Sequence, residues 1–243
     1  MGLIHYNREL LPKARPSEYH PFECYLEDGR RKLFACNLLT FGSSIFKRAT
    51  VIRKLDLVIA MHQSGEAKNA EAVKARLEDV MLDSLVDNIR ISVCFENYFK
   101  AKLLLNDIVI HSIDHIKDKI LAKGQRARPI EVKEIISKRT VAEVPILNNL
   151  LKDQTINYST ILDMPGYVKL LNMPPDTLEF LRQKNMQRNK LHLHISEVFM
   201  FGDKIIQQYQ ELTTIVDRDI ALLQNTLIDE LDPGSPSRLP VHP

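Results

Sequence analysis

No proline falls between Glu66 and Arg128, and apolar residues in that stretch return at helical intervals. Val73, Leu77, Met81, Leu85 and Ile89 step by fours, which lines them along one face of a helix. Proline is the residue that breaks helices, so a run this long without one points to a helical body. Helices beyond about 25 residues are uncommon in compact domains, and a break is expected near Ser84 to Ser92. Upstream, Phe41, Ile45, Ile52, Leu55 and Ile59 keep the same rhythm from Leu38 until Gln63-Ser64-Gly65 ends it. Pro174-Pro175-Asp176 opens a further helix, with proline in the first turn where its missing N–H does no harm, and Leu178, Phe180 and Leu181 give it a buried face. Val198, Ile205, Tyr209, Leu212, Val216, Leu223 and Leu227 mark a long last helix from Ile195 to Leu231, stopped by Asp232-Pro233-Gly234. The expected fold class is all-α. An irregular extension over residues 1–33, a helical bundle over 34–231 and a disordered tail over 232–243 are expected to make up the chain.

Composition narrows the function classes. Eight glycines and no tryptophan speak against a glycine-rich nucleotide fold or a turn-rich barrel. Neither a P-loop, nor a dinucleotide fingerprint, nor a G-x-S-x-G elbow occurs in the sequence. The formal charge of +2 is too small to identify a nucleic-acid binder, so any basic surface is local. Cys24, Cys36 and Cys94 form no C-x-x-C and read as reduced packing cysteines of a cytoplasmic protein. Residues 1–11 lack the apolar core and cleavage pattern of a signal peptide, and no apolar run is long enough for a membrane span.

Three internal stretches carry chemistry worth weighing. The window from Lys117 to Arg139 holds eight cations against three anions, the local basic surface at which Lys123, Arg126 and Arg128 are candidates for sequence-independent RNA phosphate contacts. Such a run is more often a solvated face. A short helix is expected over Ile130 to Ser137. His111 and His115 are four apart, as on a zinc-binding helix, but no Glu follows the first and no third ligand is evident, so no metal is expected there. Thr140 to Pro175, broken by prolines, reads as short helices or a lid.

The most specific chemistry lies in Q-R-N-K-L-H-L-H-I-S-E, from Gln187 to Glu197. Arg188 is a permanent cation suited to bracing a phosphate, Asn189 follows it, and His192 and His194 carry the proton that moves most easily near neutral pH. Five residues separate Arg188 from His194. This resembles the R-x(4–6)-H signature, often with Asn after the Arg, of the HEPN family (higher eukaryotes and prokaryotes nucleotide-binding domain), many of whose members are metal-independent endoribonucleases. A second point of resemblance is Val93 to Ile113. Glu96, Lys100, Ala101, Leu103 and Leu104 fit an early core helix of the form E-x-x-x-K-A-x-L-L, Asn106-Asp107 a polar break, and His111 a histidine entering the next element. Read on its own, the Glu96–Lys100 pair is an i,i+4 ion pair worth a few tenths of a kcal/mol. The resemblance covers Glu96 to His111 and Arg188 to His194, and implies an HEPN-like antiparallel bundle with its core over about residues 90–231.

On a continuous helix at about 100° per residue, His192 shares a face with Arg188 whereas His194 is turned about 120° away. The family spacing favours His194, with His192 as the second choice; the two demands reconcile if Arg188 sits at the mouth of the last helix. Family members commonly dimerise, which implies a homodimer whose cleft is completed by the same segment of a second subunit. The implied mechanism uses no metal or other cofactor. A histidine acts as general base on a ribose 2′-hydroxyl or general acid on the leaving 5′-oxygen, Arg188 stabilises the phosphorane charge, and Asn189 supplies a positioning hydrogen bond. RNA is then the substrate, and a toxin or defence role with an inhibitory protein partner is implied. Two other readings stand beside it. In one the chain is a non-catalytic nucleotide- or protein-binding module of the same fold, with His192 and His194 packed at a helix start and Arg188 paired to an acid such as Glu197. In the other it is a regulatory helical protein with no nucleic-acid role.

Overall fold

A computed structural model of the chain describes residues 25, 28–113, 128–136, 151–189 and 202–232. In chain order it runs α1 (Asp28–Phe46), α2 (Thr50–Arg53), α3 (Leu55–Gln63), a 3₁₀ turn (Glu66–Lys68), α4 (Ala70–Leu82) and α5 (Ser84–Leu105). Then follow β1 (His111–Ile113), α6 (Val132–Ile136), β2 (Leu151–Thr155), α7 (Tyr158–Asp163), α8 (Pro165–Leu171) and α9 (Pro175–Asn189). The last rod is α10 (Asp203–Thr214), a π-helical turn (Ile215–Ile220) and α11 (Ala221–Leu231), with helical dihedrals at both junctions. The described chain is predominantly helical. None of its helices is long and apolar enough to cross a membrane.

Helix α5 is the centre. Its second half is apolar nearly all round, and Cys94, Phe95, Tyr98, Phe99, Ala101, Leu103 and Leu104 are all buried, as expected of a helix walled in by others. Helix α1 packs along one flank with Ala35, Cys36, Leu39, Gly42 and Phe46, and α9 lies against another. At Gly42 the two backbones come so close that an added Cβ would sit 3.1 Å from the Cys94 carbonyl oxygen and 3.3 Å from Asn97 Cβ. An aromatic chain continues the core, from Phe46 to Phe95, Phe95 to Phe99 and Phe99 to Tyr158, each pair with ring centres 6.1 Å apart.

Polar groups tie the first half of α5 to its neighbour. Helix α2 begins after Ala49, which has no side chain able to cap it. The buried Asp87 of α5 does so instead, accepting the N–H groups of Thr50 at 2.9 Å and Val51 at 2.8 Å, while Asp83 accepts the Thr50 hydroxyl at 2.6 Å. Orphan donors of a helix start are thus met from across the interface.

Several expectations hold. Gly65 ends α3 in the left-handed region at φ 79°, and Leu178, Phe180 and Leu181 are buried on α9. The expected break in the long second run falls at Asp83, at the edge of the window named for it. Others need correction. Helix α1 starts at Asp28, well before Leu38, because Asp28 sits in its first turn where an acid is favourable and pairs with Arg31 and Lys32 at 2.7 and 2.8 Å. Phe41 is 59% exposed. The inward face is the one through Gly42, since only small residues let α1 approach α5 so closely. His111 lies in a strand rather than on a helix, and His115 lies outside the described residues. Strands β1 and β2 pair antiparallel with His111 opposite Thr155 and Ile113 opposite Leu151, a ladder too short and too polar for alternation to reveal.

Replacing Gly42 by valine is expected to lower stability by about 2 kcal/mol through overpacking against α5, read as a lower urea midpoint at unchanged slope. Gly29→Ala, which meets no atom within 4 Å, should hold the midpoint or raise it.

Candidate functional site

Arg188 stands in the last turn of α9, and the expected start of the last helix at Ile195 lies outside the described residues. Its Nη1 donates to Glu96 Oε2 at 3.1 Å, joining residues 92 apart in sequence. The other oxygen of that carboxylate, Oε1, accepts from Lys100 Nζ at 2.5 Å, and Lys100 also donates to Thr155 Oγ1 at 2.8 Å. One carboxylate therefore bridges two cations, anchored by the final residue of β2. Exposure falls inward along the chain: the Arg188 side chain is 32% exposed, Glu96 18% and Lys100 7%. Surface pairs contribute little, but this one is sunk far enough that removal of one partner leaves an uncompensated charge.

The pair opens onto a cavity of about 600 Å³ lined by Glu96, Arg188, Asn185 and the stretch Gln154–Ser159. Its walls are mostly amides and hydroxyls, apart from Ile156, and its size is that of a small-molecule site. Asn185, one turn before Arg188, is 6% exposed, and its amide forms no hydrogen bond among the described residues. The Tyr158 hydroxyl is buried with no partner either. Burial first, and the Glu96 carboxylate second, push that phenol well above its ordinary range, with Arg188 opposing.

The remaining sequence candidates are distributed as follows. Asn189 closes α9, its side chain outside the described residues, and His192 and His194 lie outside them too, as do Glu197, Lys123 and Arg126. Arg128 forks onto Glu134, Nη1 to Oε1 at 2.8 Å and Nη2 to Oε2 at 2.6 Å, so a phosphate there would compete with a bidentate carboxylate. His111 is buried. The Tyr25 hydroxyl oxygen accepts the N–H groups of Ile110 and His111 at 3.0 and 3.2 Å and lies 2.6 Å from His111 Nδ1, to which its proton goes. With Phe34 stacked on its ring, this imidazole is a packing group. Among the described residues no three His, Cys, Asp or Glu side chains gather as metal ligands would.

The sequence reading missed Asn185 and the whole Gln154–Ser159 wall. For Glu96 and Lys100 a signal was present: a carboxylate and an ammonium one turn apart among Phe95, Phe99 and Leu103. Comparison of the chain with protein-family models, curated proteins and solved structures returns no match.

Tyr158→Phe should leave stability unchanged or raise it slightly, because the hydroxyl is desolvated without a bond to lose. Burial also raises the phenols of Tyr98, to about 12 with help from the Asp219 carboxylate, and of Tyr167. A raised phenol stabilises the fold fully below the unfolded value of about 10 and is lost as pH climbs through the folded one. Unfolding by circular dichroism is therefore expected between about pH 10 and about 12, coincident with tyrosinate absorbance, and Tyr158→Phe should move it to higher pH.

Proposed function

We propose that the chain is a metal-independent endoribonuclease of HEPN type, with an HEPN-like helical bundle as its scaffold. The observation that carries this reading is the 3.1 Å contact between Glu96 and Arg188. The two segments on which the family resemblance rests supply these two groups, and they flank a polar cavity of about 600 Å³. In the proposed reaction a ribose 2′-oxygen attacks the neighbouring phosphorus, its proton passing to a base, while the 5′-oxygen leaves and takes a proton from an acid. His194, or His192 in its place, serves as base or acid. Arg188 stabilises the charge gathering on the phosphoryl oxygens, and Asn189 positions the scissile group. A 2′,3′-cyclic phosphate and a 5′-hydroxyl result. A homodimer, a toxin or defence role, a cytoplasmic setting and a restraining protein partner belong to the same proposal. Lys123 and Arg126 would hold the flanking RNA, and Arg128 would do so on release from Glu134.

The engagement of Arg188 by Glu96 also suits the second reading, a non-catalytic nucleotide-binding module of the same fold, in which the guanidinium only binds. Purified protein incubated with RNA in excess chelator separates the two. Cleavage to cyclic-phosphate ends is expected, with losses of at least about a hundredfold for Arg188→Ala and for His194→Ala, each shown to be folded. Equal traces from all three proteins, or cleavage that stops on chelation, would remove the enzyme and leave the binding module.

A further inference from the structure

We infer that the Glu96–Arg188 pair reads a ribonucleotide: Arg188 takes a 3′-phosphate, and Glu96 accepts a hydrogen bond from the 2′-hydroxyl beside it. This rests on the reading of the cavity as an RNA site and assigns Glu96 a ribose-selecting role there. A guanidinium is matched to phosphate oxygens. An ionised carboxylate only accepts, so it welcomes a hydroxyl and repels a second anion. Groups held 3.1 Å apart therefore call for a ligand that presents an anion and a donor on adjacent atoms. The vicinal 3′-phosphate and 2′-hydroxyl of a ribonucleotide do so, and the 2′-hydroxyl is what tells RNA from DNA.

Two further observations fit. The Glu96 carboxylate is fixed, because Lys100 holds Oε1 at 2.5 Å and is itself held by Thr155 at 2.8 Å, leaving Oε2 as the oxygen shared with Arg188. Independently, Asn185 offers an unpartnered amide from a position 6% exposed on the cavity wall. An amide that both donates and accepts is matched by a nucleobase edge. Inorganic phosphate, which carries a P–OH donor of its own at neutral pH, could meet Arg188 and Glu96 but would leave Asn185 unmatched and most of the cavity of about 600 Å³ unfilled. The ligand class is thus a ribonucleoside 3′-phosphate.

Calorimetry on the full chain with adenosine 3′-monophosphate, its 2′-deoxy counterpart and inorganic phosphate tests this. The ribonucleotide should bind about tenfold tighter than the deoxynucleotide, the worth of one hydrogen bond to a charged group, and more tightly still than phosphate. The ratio should fall to about one in Glu96→Met/Lys100→Met, which removes both charges together so that neither is left buried alone. Asn185→Ala should weaken both nucleotides several-fold and leave phosphate unaffected. Equal affinity for ribo and deoxy forms in the wild type overturns the inference whether or not the variants fold, as does phosphate binding as tightly as the nucleotide, or no binding at millimolar concentration. Ribose selectivity without RNA cleavage would end the endoribonuclease reading and keep this one. Cleavage with equal nucleotide affinities would do the reverse.

Discussion

The close approach of α1 to α5 at Gly42 sets the rotation of α5 about its own axis, and much of the molecule follows from that rotation. Cys94 and Asn97 face Gly42, so Glu96, two residues on from Cys94, points about 200° round the helix, to the side where α9 and β2 stand. Lys100, one turn further, shares that side. A helix enclosed by neighbours has no solvent for its charges, and the two it carries here must find partners on the elements that cover them. Thr155 and Arg188 are those partners. The position of the cavity is thus a consequence of a glycine on the opposite flank.

The electrostatics of the cluster divide its two cations into one held twice and one held once. Two cations around one carboxylate leave an excess positive charge at the mouth of a cavity whose walls exclude part of the solvent, where Coulomb attraction exceeds its value in water. Lys100, the deeper cation, is engaged twice, by Glu96 and by Thr155. Arg188, the shallower one, is bound through a single nitrogen at 3.1 Å, and a planar guanidinium has further donors to offer. The excess charge therefore lies with the group nearer solvent, the one an incoming anion meets first. His62 and Asp203, 2.5 Å apart between α3 and α10, and Lys32 with Glu230 at 2.9 Å are, by contrast, pairs of one cation with one anion, and none of the four lines this cavity.

How much of this was legible in the sequence depends on the length scale of each signal. Long helices announce themselves by repetition, so α4, α5, α9 and the last rod were visible, as was the stop at Gly65. Which face turns inward was less so. Phe41 fits the apolar rhythm yet lies outward, because the choice between faces was made by the fit of Gly42 against Cys94, a tertiary contact with no local trace. The strands escaped for a related reason: β2 reads L-K-D-Q-T, and its pairing with His111 supplies what its composition does not. At the site, Arg188 stood out by its neighbours in sequence and Glu96 and Lys100 by their apolar surroundings. Asn185 is an ordinary polar residue on a polar stretch of helix, and only its burial against the cavity distinguishes it. Gln154 to Ser159 likewise read as connector, since their relation to α5 and α9 exists only in three dimensions.

The contrast between two kinds of buried polar group bears on what the cavity is for. Asp87 is met by the N–H groups of Thr50 and Val51 and by Arg90 at 2.9 Å, and the Tyr25 hydroxyl by two N–H groups and an imidazole. The chain is therefore able to satisfy polar groups even where several must converge. The Tyr158 hydroxyl is sealed without a partner, and Asn185 on the wall of the polar cavity makes no hydrogen bond among the described residues. Ser92 and Gln208 also carry an unpartnered oxygen, but neither lines it. An unmatched group costs stability of about 1–3 kcal/mol, and an apolar side chain of similar shape would remove the cost. In the proposed site the Asn185 amide and a half-engaged guanidinium stand together on one wall, where a ligand would complete their hydrogen bonds. The site would then gain its affinity from groups already in place.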